Sequence, residues 1–107
     1  QNRTPENNSF IIAFTKKFSA TPDQFAAQAY DAMYIVADAL KKTKLSGNLT
    51  ADRTALRDAL PAVKITGATG SFAFRRAMDK SGKPAGYDAE QVPIVSVTKD
   101  GKFSIEK

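Results

Sequence analysis

Gln24, Phe25 and Gln28 stand where a chain of 107 residues could best recognise a small molecule. They fall in the opening turns of a long helical pattern. A helix N-terminus offers free amide donors and the positive end of the helix dipole. Such a mouth suits an acidic or carbonyl-bearing ligand, and Phe25 would supply an apolar wall. The plainer reading makes Phe25 a core residue and leaves the two glutamines solvated, and spacing alone favours it. Tyr30 and Tyr34 read as packed rings with hydrogen-bonded tips.

Other chemistry has few candidates. The chain has no His and no Cys. That excludes zinc-type sites and nucleophile relays through His, and it leaves the compartment open. Asp79, Asp88 and Glu90 lie close in sequence, but without the alternating spacing of a calcium loop. Arg75, Arg76, Lys80 and Lys83 are interspersed, so a solvated loop is expected. Gly67-Ala68-Thr69-Gly70 lacks the Lys-Ser/Thr and the helix that a phosphate loop needs, and reads as a turn or strand kink. The sequence assigns no catalytic residue, no metal site and no cofactor, and the chain is read as not an enzyme.

The element that positions Phe25 is the most informative stretch, residues 21–40, TPDQFAAQAYDAMYIVADAL. Thr21 reads as N-cap, Pro22 as first helical residue and Asp23 as a first-turn acid. Phe25, Ala29, Met33, Val36 and Leu40 form a stripe at helical spacing, flanked by further apolar residues. The polar residues, Asp31 and Asp38 among them, fill only a narrow strip. An arc this wide requires cover on more than one side. The rest of the chain offers little, which suggests part of a larger protein.

Around this helix the pattern gives a polar tail over residues 1–7 and helices over 8–18, 21–43 and 50–60. Thr50 reads as the cap of the third. Strands are expected over 63–66, 71–74, 92–98 and 102–106, with a polar loop over 75–91. Asp100-Gly101 is a type I′ hairpin signal, and Pro93 suits an edge strand. The fold class is α/β, three helices followed by about four short strands. A hydrophobic fraction of 42% argues for a folded domain, and no apolar run approaches membrane-spanning length. The chain begins with Gln1 and no signal peptide, as a mature or truncated start would. The net charge of +5 allows nucleic-acid binding, but scattered lysines without a recognition motif favour an ordinary basic surface.

PDQFAAQAYDAMYIVADAL, TADRTALRDAL, VKITGATGSFAF, the DKSGKP turn and VPIVSVTKDGKFS follow one another in an order that resembles the C-terminal third of type I periplasmic substrate-binding proteins. The branch is that of branched-chain amino acid ABC transporters, the Leu/Ile/Val-binding-protein-like receptors. The resemblance implies a two-lobed α/β fold with a ligand in the interlobe cleft. It implies a periplasmic location, or a lipid-anchored extracellular one in a Gram-positive source. The implied partners are an amino-acid-like or organic-acid solute and a membrane permease, with no nucleic acid. It also places the mouth of the Phe25 helix beside the cleft, with Gln24 or Gln28 near the rim. Residues 75–91 depart from the family's usual F-D-x-x-G-D loop by being longer and more basic. The alternative reading is a free-standing basic α+β module that binds nucleic acid or an acidic protein.

Overall fold

The computed structural model describes residues 4–90, 96–99 and 102–105. The first helix, α1 (Pro5–Phe18), begins with Pro at its first position, where the missing amide costs nothing. Thr4 caps it, its Oγ1 accepting from the Asn7 amide at 3.2 Å. Residues 5–7 are therefore helical, which corrects the expected polar tail. The helix closes at Ser19 in the left-handed region (φ 53°), with Lys16 and Lys17 in the last turn where they complement the dipole.

The long helix, α2, runs Gln24–Lys42. Its cap is Asp23, whose carboxylate accepts from the Ala26 amide at 2.8 Å. This corrects the start at Thr21. An Asp two residues before Phe25 competes with Thr21 for the same role, and here Pro22 stays outside the helix. The third helix, α3 (Leu49–Ala59), is capped by Asn48 and not by Thr50. Asp52 reaches back from its first turn to the Ser46 and Gly47 amides at 2.7 and 3.0 Å, pinning the α2–α3 connection. A 3-10 turn, Leu60–Ala62, absorbs Pro61 at the end of α3.

The sheet has three antiparallel strands in the order β1 (Lys64–Gly67), β2 (Gly70–Met78), β3 (Pro84–Glu90). The loop expected over 75–91 is corrected: β2 continues to Met78 and β3 returns beside it, with Phe74 opposite Ala89 and Arg76 opposite Tyr87. The register shifts between Ala77 and Met78, and Gly86 at φ 108° accommodates the irregularity. A separate pair, β4 (Ser96–Lys99) and β5 (Lys102–Ile105), is antiparallel with Lys99 opposite Lys102. The Asp100-Gly101 turn and Pro93 lie outside the described residues.

Burial is sparse. Phe10, Ala39, Val63 and Ala68 are the buried hydrophobic residues among those described. An aromatic ladder joins the first two helices: Phe18, Phe14, Phe10, Tyr30 and Tyr34 follow one another with ring centroids 4.6, 5.7, 4.8 and 4.9 Å apart. The stripe of α2 faces outward instead. Phe25 is 68% exposed and Met33 69%, and Val36 and Leu40 are also exposed.

Candidate functional site

Gln24, Phe25 and Gln28 lie together in the first two turns of α2, and all three are exposed. Gln24 and Gln28 are one turn apart and share a face; Phe25 is next to them around the axis. Phe25 is not part of the core of the described residues, so its ring is available to something outside them. Asp23 alters the electrostatics of this mouth. Its carboxylate takes the Ala26 amide and sets a negative group where the dipole is positive. The mouth therefore favours a neutral carbonyl or an apolar group over a free anion.

Asp31 was missed as a structural residue because it lies in the polar strip of α2. Its side chain is 4% exposed and accepts three hydrogen bonds from the β1–β2 turn. The donors are the Ala68 amide at 2.7 Å, the Thr69 amide at 2.7 Å and the Thr69 hydroxyl at 2.6 Å. Gly67 is required beside it, since a Cβ there would overlap the Asp31 carboxylate. The glycine-rich turn thus holds an anion, but the anion belongs to the chain itself. An acid in the polar strip of a helix that needs cover on more than one side, together with a Gly-x-x-Gly turn lacking its own anion, was the signal available in the sequence.

Two clefts flank these elements. One, of about 290 Å³, lies between α1, α2 and the β1–β2 turn and is lined by Glu6, Ser9, Tyr30, Asp31, Tyr34 and Gly67 among others. The Tyr30 and Tyr34 hydroxyls are 3.1 Å apart there. The hydrogen bond with Tyr34 raises the Tyr30 pKa above its ordinary 10.0, with burial second, so the phenol stays protonated. The other, of about 440 Å³, runs along β1 and β2 past Ile65 and Phe72. Neither includes Phe25. Among the described residues, no three Asp or Glu side chains approach closely enough to hold a metal ion. Asp79 turns back onto its own loop and Asp88 pairs with Arg75 at 3.0 Å.

The family model for periplasmic binding proteins matches residues 1–102. The chain belongs to that family. Among solved structures it is similar to an ABC transporter substrate-binding protein from Desulfitobacterium hafniense in complex with Leu. Identity is 26% and the TM-score 0.62, over 99% of this chain and 28% of that one. A second structure of a substrate-binding protein from D. hafniense matches at 25% identity with a TM-score of 0.62 and the same coverage. A solute-binding protein from R. palustris in complex with benzoate matches at 25% identity and a TM-score of 0.56, over 95% of this chain and 25% of that one. No curated protein matches. The chain spans 28% of the length of the first two receptors, so its α/β fold is part of the periplasmic binding protein architecture.

Proposed function

We propose that this chain is the C-terminal part of an extracytoplasmic solute-binding receptor of an ABC importer. Such a receptor captures an amino-acid-like or organic-acid solute between two lobes and hands it to a membrane permease. The match to the periplasmic binding protein family over residues 1–102 carries the reading. Closure follows when the solute touches both lobes and so favours the closed state. Capture and release need no bond-making, so the chain has no enzymatic role.

Phe25 lines one wall of the ligand site in this reading, with Gln24 or Gln28 at the rim. Its exposed ring at the mouth of α2 supports the assignment. Leu and benzoate, the ligands of two similar receptors, each combine an apolar body with a carboxylate. Phe25 would meet the apolar body. Asp23 opposes a carboxylate at this mouth, so the acid end points away, toward other parts of the cleft.

Calorimetry on the complete receptor with leucine, benzoate and related acids tests the proposal. Phe25→Ala should weaken binding by about 1–3 kcal/mol, the value of one buried apolar contact. Unchanged affinity would remove Phe25 from the site. The 107-residue chain alone should bind no solute tightly, because one wall cannot desolvate a ligand on both sides. Sub-micromolar binding by the chain alone would refute the shared-cleft reading.

A further inference from the structure

The outer half of the β2–β3 hairpin sorts its charges by face. Every residue of β3 is exposed, as are Arg75, Arg76 and Met78 of β2. On one face Arg75 pairs with Asp88 at 3.0 Å and Glu90 adds a further acid, so that face carries no excess of cations. The opposite face carries Arg76, Met78 and Tyr87 and no acid. The Arg76 guanidinium lies 6.0 Å from the centre of the Tyr87 ring, directly across the strands. Met78 is 59% exposed and Tyr87 50%.

The turn beyond them keeps its carboxylate to itself. Asp79 accepts from the Ser81 amide and hydroxyl at 2.8 and 2.7 Å and from the Lys83 amide at 2.9 Å. Lys80 and Lys83 are exposed and in none of the ion pairs among the described residues. The hairpin end thus presents Arg76, Lys80 and Lys83 beside an exposed Met and an exposed Tyr.

We propose that this hairpin end docks the protein on a membrane surface that carries anionic lipid. Lysine and arginine heads meet lipid phosphates while their stems, Met78 and the Tyr87 ring enter the headgroup boundary. An acidic protein surface is the competing partner. The hairpin end, residues 76–87, is about a dozen residues against the roughly 20–30 that a standard protein interface uses on each side, whereas a bilayer accepts a few inserted side chains.

Co-sedimentation of the protein with vesicles tests this. It should bind vesicles of phosphatidylglycerol and phosphatidylcholine and leave phosphatidylcholine vesicles alone. Raising salt from about 0.1 M to about 1 M, which shortens the screening length from ~10 to ~3 Å, should release it. Lys80→Glu with Lys83→Glu should lower binding at least about tenfold, while Lys16→Glu with Lys17→Glu on α1 should change it less than about twofold. Met78→Ser should weaken binding without altering the charge. Equal binding to both vesicle types, or to neither, overturns the proposal. So does an equal loss from the two double substitutions, which would assign the effect to overall charge. Vesicle binding unchanged by the hairpin substitutions while polyglutamate binding is lost would overturn it in favour of an acidic protein partner.

Discussion

Asp31 accepts its hydrogen bonds from a turn 37 residues further along the chain. Asp31→Asn would replace an acceptor oxygen by an amide that faces the turn's own donors. The expected loss is about 1–3 kcal/mol for the donors left unsatisfied. Gly67→Ala should cost a similar amount, about 1–3 kcal/mol, because the carboxylate it displaces is tied down on both oxygens. Urea denaturation measures both, and stability within error of the parent for either would show that the anchor does not hold α2 in place. Phe25→Ala makes the opposite expectation. In this chain the ring is 68% exposed, so its removal should change stability by no more than about 0.5 kcal/mol. That Phe25 lies near the start of α2 was legible from the apolar spacing, although the cap is Asp23 and not Thr21. The role of Asp31 was not, since its partners are backbone amides that no residue type announces.

The helices illustrate how capping decides boundaries. The pair Thr-Pro occurs twice, as Thr4-Pro5 and Thr21-Pro22, and only the first starts a helix. At the second, Asp23 provides the cap and its carboxylate outcompetes the threonine two residues earlier. Three helices were legible from their apolar spacing, while β3 was not. PAGYDAE has Gly, Pro and Asp where strands avoid them, and an edge strand exposed on both faces has no alternation to read. Asp52, Asp79 and Asp88 each sit below the ordinary 3.8. The causes are, in order, the Ser46 amide, the Ser81 hydroxyl and the Arg75 guanidinium. A depressed folded-state value contributes stability above 3.8 that is lost as pH falls through the lower folded values. Melting temperature should therefore drop on acidification below that point. Asp52→Asn should flatten this dependence, and an unchanged acid profile would show that the α2–α3 connection is not held by this carboxylate.

The chain exposes 8703 Å² with a radius of gyration of 17.4 Å. A compact protein of 11.6 kDa would expose about 5,800 Å² and measure about 13 Å. Part of the excess was foreshadowed in the sequence by the wide apolar arc of α2, whose stripe the described residues leave uncovered; the fully exposed β3 was not. Such patches drive association. On its own this chain should form dimers or larger species through α2, with helices or exchanged elements of neighbouring copies covering Met33, Val36 and Leu40. Sedimentation velocity showing a compact, heat-resistant monomer would contradict this. The Asp31 anchor also has a consequence for synthesis. Thr69 follows Asp31 by 38 residues, and at about 5–20 residues per second the ribosome needs about 2–8 s to add them. Throughout that interval the nascent α2 carries a carboxylate with no partner on one side and an uncovered apolar stripe on the other. The helix can form at once and meet α1, but its docking on the sheet must wait for the glycine turn to be translated.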